Sequence, residues 1–251
     1  MIQTSLLTFV LKEIPMEISI EHLGKTYPDG TRALMDINLN LTNGLYALIG
    51  LNASGKTTLI HILATLLKPS TGRVRYNDFD LARNRAHIRA MTGYLPQRFS
   101  TFRNTTAREF LDYSANLAGI YDPKEREEAV TYMLESLGLT DVRDKNANDL
   151  TPLQKRHLEI AQAMIGKPRV VLMDEPTTGL SPEERIRFRK LLVERSASSE
   201  VTLYATHILS DIVGDCTGVA VLDEGSLVFF GKPAEGLAFI EECGWPTAYP
   251  V

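Results

Sequence analysis

The sequence predicts an α/β fold in which a parallel sheet is joined by an antiparallel β subdomain and an inserted helical subdomain. Short apolar segments alternate with helical stretches along most of the chain, which is typical of a parallel sheet. Residues 45–49, 170–173 and 201–205 are almost wholly apolar, as strands covered on both faces are. Earlier segments alternate between polar and apolar residues, which favours an antiparallel sheet.

In chain order, the predicted strands cover residues 17–21, 33–40, 44–49, 73–76, 92–95, 169–174, 201–205, 218–222 and 227–230. No clear strand occurs between Gln97 and about Gly166. Apolar residues such as Phe110 and Leu117 fall there at helical spacing. This spacing predicts the inserted helical subdomain.

The predicted domain organisation follows from these elements. Residues 16–240 are expected to form one domain, with the helical subdomain at about 98–166. Residues 1–15 lack the basic start and the cleavage site of a signal peptide, so either a flexible extension or a misplaced start codon is expected. Residues 241–251 are expected to form an irregular tail.

Composition excludes several classes of protein. The 251 residues are 44% hydrophobic and 23% charged, which is ordinary for a globular domain. A net charge of −4 argues against a large nucleic-acid interface. No stretch approaches the ~18 consecutive apolar residues of a membrane helix.

A phosphate-binding loop follows the strand predicted at 44–49. The segment Gly50-Leu-Asn-Ala-Ser-Gly-Lys-Thr-Thr58 matches G-x-x-x-x-G-K-[ST]. An apolar-periodic helix with Leu59, Ile62, Leu63 and Leu66 is expected after it. Such a loop turns backbone N–H groups towards phosphate oxygens, and the helix N-terminus adds positive potential. The candidate cofactor-binding residues here are Gly50, Leu51, Asn52, Ala53, Ser54, Gly55, Lys56, Thr57 and Thr58.

A second motif ends the strand predicted at 169–174. Four apolar residues precede Asp174, Glu175 and Pro176. Asp174 is a candidate ligand of Mg²⁺ together with the Thr57 hydroxyl. Glu175 is expected to point elsewhere, because side chains alternate along a strand, and to act as the base that polarises the attacking water.

The two motifs and the residues around them resemble the nucleotide-binding domain of the ABC transporter family, from about Met16 to Gly236. Tyr27, in Lys-Thr-Tyr-Pro-Asp-Gly, stands where the family has an aromatic residue. Gln97, in Gly-Tyr-Leu-Pro-Gln, stands at the position of the family's Q-loop glutamine. His207, in Ala-Thr-His, stands at that of its switch histidine. The segment from Asp174 to Leu180 resembles the family's Walker B motif running into the D-loop.

The resemblance implies a P-loop NTPase core and a role for each of these side chains. Tyr27 would stack on adenine. Gln97 would contact Mg²⁺ and the attacking water. His207 would contact the γ-phosphate. Alone, Tyr27 and Gln97 are equally consistent with ordinary loop residues, and a lone histidine is more often structural.

The family's signature, Leu-Ser-Gly-Gly-Gln, is altered in this chain. In the family this segment binds the partner subunit's ATP in trans. The corresponding residues here are Leu150, Thr151, Pro152, Leu153 and Gln154. Proline has no N–H, and leucine adds a side chain where close backbone approach is needed. A weakened composite site is therefore expected.

Two smaller departures accompany the altered signature. Ala53 replaces a glycine that is usual in the family's phosphate loop, and ATP binding is still expected. Ser181 replaces the usual D-loop aspartate. Residues that serve the chain's own nucleotide are thus retained, and those that serve a partner's nucleotide are altered.

The function implied is the ATP-hydrolysing subunit of an ABC transporter, with ATP and Mg²⁺ as cofactors. The cargo class expected is a small molecule, drug or antibiotic that is exported. The implied partners are a transmembrane permease subunit and a second nucleotide-binding subunit, in a homo- or heterodimer, with no nucleic acid. The implied location is peripheral, on the cytoplasmic face of the cell membrane.

Two other functions remain open. One is a regulatory ATP-binding subunit that gates a membrane partner with little turnover. The other is a soluble ABC-type ATPase of DNA repair or translation, although such proteins usually carry a long coiled coil or tandem nucleotide domains, and this chain shows neither.

Overall fold

The computed structural model describes residues 15–97, 104–196, 201–209 and 216–245. Within these ranges the chain forms two β-sheets whose strands are β1 Ile18–Thr26, β2 Arg32–Leu41, β3 Gly44–Gly50, β4 Thr71–Tyr76, β5 Phe79–Asp80, β6 Thr92–Leu95, β7 Val170–Asp174, β8 Val201–Thr206, β9 Gly218–Asp223 and β10 Ser226–Gly231. The α-helices are α1 Lys56–Leu63, α2 Arg85–Ala90, α3 Ala107–Leu117, α4 Pro123–Ser136, α5 Pro152–Met164, α6 Pro182–Ser196 and α7 Pro233–Glu242.

The first sheet is antiparallel, as predicted, and its strand order is β2-β1-β4-β5. Buried and solvent-facing residues alternate along β2, which is why its polar-apolar pattern identified it. Strand β1 continues five residues beyond the predicted end at Glu21, through irregular pairings with β2. The two-residue strand β5 was not predicted.

The second sheet has the order β10-β9-β3-β8-β7-β6 and is parallel from β9 to β6. Strand β10 pairs antiparallel with β9. All residues of β7 and β8 are buried, as the apolar runs predicted. The carboxyl ends of β3 and β7 lie at the same edge of this sheet, because parallel strands share their direction.

Each face of the parallel sheet is covered by its own hydrophobic core. Leu45, Ala47 and Ile49 of β3 enter the core shared with α3, α4 and α5. Tyr46 and Leu48 enter the core shared with α1 and the antiparallel sheet. This alternation follows from the two-residue period of a strand, and it covers both faces of β3.

The helical subdomain contains α3, α4 and α5, which pack on one another and on the parallel sheet. Outside the named strands, the described residues of this region form one isolated β-bridge, between Thr106 and Asn146. The N-caps of α3 and α4 are the side chains of Thr106 and Asp122, so local sequence fixes both helix starts. Residues 98–103 lie outside the described ranges.

Helix α1 is shorter than its apolar pattern predicted. It ends at Leu63, and Thr65 has a positive φ of 63°. Leu66 therefore lies outside the helix and is 56% exposed, so its placement on the helix was wrong. A helix cannot continue through a left-handed residue.

The chain ends differ partly from expectation. Residues 1–14 of the expected extension and residues 246–251 of the expected tail lie outside the described ranges. Helix α7 continues to Glu242, two residues into the stretch expected to be irregular. Trp245 packs against the core formed with the helical subdomain. No helix in the described part of the chain is long and apolar enough to span a bilayer.

The contact of β6 with α5 gives a test of this packing. A Cβ at Gly93 would overlap the carbonyl oxygen of Ala163, so Gly93→Ala forces the strand and helix apart. We expect the free energy of unfolding to fall by at least about 2 kcal/mol in urea titration. Gly119→Ala is the matched control: Gly119 has φ 93° and open space, so only backbone strain of about 1 kcal/mol is expected. Equal losses in the two variants would contradict the close packing.

Candidate functional site

The phosphate-binding loop joins the end of β3 to the start of α1. Gly55 caps α1 in a left-handed conformation, and no side chain caps the helix. A Cβ at Gly50 would lie 2.6 Å from the Leu222 carbonyl oxygen, and one at Gly55 would lie 2.5 Å from that of Ala33. Glycine is thus required at both positions by close backbone approach. The uncapped helix N-terminus leaves N–H groups for an anion.

The antiparallel sheet holds this loop from outside. The N–H of Gly225 donates to the carbonyl oxygen of Ser54 at 3.1 Å. The carbonyl oxygen of Gly225 accepts a hydrogen bond from the N–H of Met35 at 2.7 Å. The β9–β10 turn therefore lies between the antiparallel sheet and the loop. No local sequence pattern indicates this contact, because it joins segments far apart in the chain.

Lys56 is buried at the centre of the site, with 5% of its surface exposed. Its Nζ donates to the carbonyl oxygens of Gly50 at 2.7 Å and Leu51 at 3.0 Å, and it lies 3.5 Å from Glu175 Oε1. Burial lowers the pKa of Lys56, and the charges of Glu175 and Asp174 oppose that shift. The arrangement places a cation where the loop would hold phosphate.

Thr57 and Asp174 meet across the carboxyl edge of the sheet. The Thr57 hydroxyl donates to Asp174 Oδ1 at 3.2 Å. Asp174 is fully buried, and its Oδ2 has no hydrogen-bond partner among the described residues. Burial raises the pKa of Asp174, and the Thr57 hydrogen bond and the His61 and Lys56 charges oppose that shift. A buried oxygen without a partner beside a hydroxyl suits a hard cation such as Mg²⁺.

Glu175 is joined to two other residues of the site. Its Oε2 accepts a hydrogen bond from His207 Nδ1 at 2.8 Å, and its Oε1 faces Lys56. Only 4% of Glu175 is exposed. Strand β7 ends at Asp174, and Glu175 has φ 50° while its N–H donates to the Ala205 carbonyl oxygen. The turn, and not strand alternation, sets the direction of its side chain.

Tyr27 and Gln97 are placed less centrally. The Tyr27 hydroxyl lies 3.2 Å from Thr58 Oγ1, and Lys25 Nζ lies 5.4 Å from the centre of its ring. Tyr27 is thus attached to the phosphate loop. Gln97 is exposed and follows the last residue of β6, Leu95, by two positions. None of the described hydrogen bonds joins it to Asp174 or Thr57.

The altered signature forms the N-terminus of α5. Thr151 is the N-cap: its hydroxyl accepts from the Gln154 N–H at 3.2 Å, and its N–H donates to Gln154 Oε1 at 3.0 Å. Pro152 occupies the first helical position, and Leu150 is buried. Leu153 is half-buried against the core. The capping box thus uses the N–H groups of Thr151 and Gln154.

Ser181 closes the N-terminus of α6 in the same way. Its N–H donates to Glu184 Oε2 at 2.8 Å, and its hydroxyl accepts from the Glu184 N–H at 3.3 Å. The aspartate expected from the family is therefore replaced by a residue that caps its own helix.

One polar pair beside the site was missed from sequence. His61 Nε2 lies 3.1 Å from the Tyr94 hydroxyl, which joins α1 to β6. Burial and the charge of Asp174 raise the pKa of Tyr94 to about 12. His61 lies four residues after Thr57, on the same side of α1. A polar residue on that largely apolar helix was the signal that was available.

A phosphate loop with a buried lysine, and a strand-end aspartate bonded to the loop threonine, define a P-loop nucleoside triphosphatase. Within that class, the family described as "ABC transporter" matches residues 34–178. The chain belongs to the ABC transporter family, and it is an ATP-binding cassette of the ATPase type.

Relatives and solved structures give the range of similarity. The chain is 31% identical over 219 residues to the uncharacterized ABC transporter ATP-binding protein YxlF of Bacillus subtilis, covering 87% of this chain and 72% of that protein. It is 34% identical to the phospholipid-transporting ATPase ABCA3 of Rattus norvegicus. For the rat, mouse and human forms of ABCA3, the match covers 86–88% of this chain but only 13% of those longer proteins.

A solved structure shares the fold over nearly the whole chain. It is cbiO1 from Clostridium perfringens, part of the ABC transporter complex cbiONQ. The TM-score is 0.78 at 28% identity, covering 90% of this chain and 94% of cbiO1. The predicted P-loop fold and family are thereby confirmed.

The left-handed conformation of Ala53 gives a second test. Ala53 has φ 66°, which strains any residue that carries a Cβ. We expect Ala53→Gly to raise the free energy of unfolding by about 0.5–1 kcal/mol. Ala129→Gly is the control: Ala129 lies in the interior of α4, so glycine there should lower stability by about 1 kcal/mol. Urea titration compares the two variants, and a loss at position 53 would show that its backbone carries no strain.

Proposed function

We propose that this chain binds and hydrolyses ATP to power an ABC transporter. The observation that carries the proposal is the convergence of Lys56, Thr57, Asp174 and Glu175 at one edge of the parallel sheet, within 3.5 Å of one another in pairs. These side chains come from two motifs far apart in sequence. They bring together a cation, a pair of hard oxygen ligands and a carboxylate base.

Nucleotide binding uses the uncapped N-terminus of α1. Its N–H groups and Lys56 stabilise the β- and γ-phosphates, and Tyr27 provides a ring for the adenine. Thr57 and Asp174 would hold Mg²⁺, with Gln97 as a further ligand. The metal neutralises phosphate charge when it is bound.

Hydrolysis is assigned to Glu175, with His207 and Gln97 assisting. Glu175 accepts a proton from the attacking water. At the same time the water oxygen forms a bond to the γ-phosphorus, and the bond between the γ-phosphorus and the bridging oxygen breaks, so that ADP leaves with that oxygen. His207 orients Glu175 through their 2.8 Å hydrogen bond, and it would contact the γ-phosphate of a bound nucleotide. The buried surroundings strengthen these interactions.

The segment Leu150–Gln154 is proposed to serve a second cassette poorly. The N–H groups of Thr151 and Gln154 are both engaged in the capping box, and Pro152 has none. Few donors therefore remain for a phosphate held by another subunit. We infer that full activity needs a partner cassette with an ordinary signature, and that a homodimer is slow.

The remaining partners follow from family membership. A transmembrane permease would convert ATP-driven closure into substrate movement, so the chain would lie peripherally at the cytoplasmic face of the membrane. The docking surface proposed for it comprises residues 97–107 and the helices that follow, of which residues 98–103 lie outside the described ranges. Export of a small molecule is supported by similarity to the probable multidrug ABC transporter ATP-binding protein YbhF of Escherichia coli, at 30% identity. The nucleotide-binding domain is proposed to span residues 16–240, with α7 continuing to Glu242 of the stretch 241–251, and residues 1–15 are proposed as an extension.

The capping box also favours a second candidate function. A subunit whose trans-acting segment is closed on itself would bind ATP with little turnover and gate a membrane partner. The two functions differ in whether restoring the signature restores hydrolysis.

Removal of the base tests the proposed chemistry. Glu175→Gln keeps the shape of the side chain but cannot accept the proton of water, so we expect kcat for ATP to fall by about 10²–10⁴-fold. ATP binding, measured by calorimetry, should persist. Exposed Glu128→Gln on α4 is the matched control and should retain activity. Lys56→Ala, which removes the phosphate-binding cation, provides the blank rate. Hydrolysis by Glu175→Gln at the natural rate would rule out Glu175 as the base.

Repair of the signature tests the partner requirement. The triple change Thr151→Ser, Pro152→Gly and Leu153→Gly returns backbone donors while keeping a capping hydroxyl. We expect ATP turnover per molecule to rise on the order of 10²-fold and to increase with chain concentration. The same triple change with Lys56→Ala is the control and should stay inactive. No gain in turnover would instead support the regulatory function.

A further inference from the structure

Helix α5 carries a buried ion pair that the proposed chemistry does not use. Arg156 Nη1 donates to Glu159 Oε2 at 2.5 Å, and each side chain is 9% exposed. Burial raises the pKa of Glu159, and Arg156 opposes that shift. Replacing a buried ion pair by apolar residues is often neutral or stabilising, so stability alone does not account for the pair.

The guanidinium group of Arg156 has a second contact. Its Nη2 donates to the carbonyl oxygen of Thr178 at 3.3 Å. Thr178 lies in the loop between Glu175 and α6. Arginine forms such paired contacts because its donors are fixed in one plane, and Glu159 holds that plane in place.

The loop that Arg156 contacts begins at the proposed base. The Thr178 N–H donates to the Glu175 carbonyl oxygen at 3.2 Å. At the far end of the loop, Arg185 Nε donates to the Leu180 carbonyl oxygen at 3.1 Å. One hydrogen bond of 3.2 Å therefore connects Glu175 to Thr178, and one of 3.3 Å connects Thr178 to Arg156 of α5.

The same helix begins with the segment that faces a second cassette. Arg156 follows Gln154, the last residue of the altered signature, by two positions. A displacement of the α5 N-terminus is thus passed directly to Arg156, because a capped helix moves as a unit.

We propose that Arg156 is a positioning residue that links the signature end of α5 to the loop of Glu175, so that contact with a partner cassette sets the orientation of the base. This rests on the proposed function, in which Glu175 polarises water. Glu159 orients the guanidinium group of Arg156. The carbonyl oxygen of Thr178 accepts its hydrogen bond, so the contact does not depend on the side chain at position 178.

The test replaces the pair without leaving a buried charge. The double variant Arg156→Met, Glu159→Leu removes the contact with Thr178 and keeps α5 apolar at these positions. In the chain without nucleotide, hydrogen exchange at the amides of Thr178 and Leu180 should quicken about tenfold or more. ATP affinity and KM should stay unchanged, and kcat should fall roughly tenfold to a hundredfold.

A conservative variant separates the contact from the charge. Glu159→Gln still accepts a hydrogen bond from Arg156 but leaves its charge unpaired, so the free energy of unfolding should fall, whereas local exchange at Thr178 and kcat of the folded chain should remain within about twofold of the natural chain. Arg156→Lys keeps the charge but not the paired donors, so its kcat should fall as in the double variant.

Three results would overturn the proposal. The first is unchanged amide exchange in the double variant, and the second is unchanged kcat in that variant. The third is an equal loss of ATP affinity and of kcat, because such a loss would mean that the ion pair only stabilises the fold. The exchange measurement needs no nucleotide. It therefore tests whether Arg156 holds the loop at Thr178 even if the natural chain hydrolyses no ATP. An absence of ATP hydrolysis would count against the proposed function and not against the contact.

Discussion

The rest of the structure depends on keeping one cation and two carboxylates buried together. Lys56, Asp174 and Glu175 are each at most 5% exposed. Isolated charges in such surroundings would be costly, so each needs partners held in place by separate segments. Lys56 is held by backbone carbonyl oxygens, Asp174 by Thr57 and Glu175 by His207. The site is therefore only as stable as the sheet edge that aligns these segments.

That edge exists because the parallel sheet is covered on both sides. Strand β3 sends alternate side chains into two cores, one under the helical subdomain and one under the antiparallel sheet. A parallel sheet with an open face would expose apolar strands to water. The two added subdomains are thus structural requirements of the site, and the β9–β10 turn extends one of them to the phosphate loop itself through Gly225.

Three helices of this molecule differ in whether a side chain caps their N-terminus. Helix α1 begins after a left-handed glycine, and no side chain occupies its N–H groups. Helices α5 and α6 begin with Thr151 and Ser181, each followed by proline and each closed by a capping box. An open N-terminus binds an anion, and a closed one stabilises its own helix instead. This contrast is the physical basis for proposing that the chain holds its own nucleotide well and a partner's poorly.

The fold class, the family, the phosphate loop and the strand-end carboxylates are predictable from the amino-acid sequence, because each rests on a local pattern of residue types and spacing. The same patterns made α1 too long by including Leu66, and they attributed the direction of Glu175 to strand alternation. The contacts of Glu175 with Lys56 and His207, of His61 with Tyr94 and of Arg156 with Thr178 are visible only in the folded chain. Those contacts join segments distant in the chain, and their geometry depends on how sheets and helices pack, which no local pattern encodes.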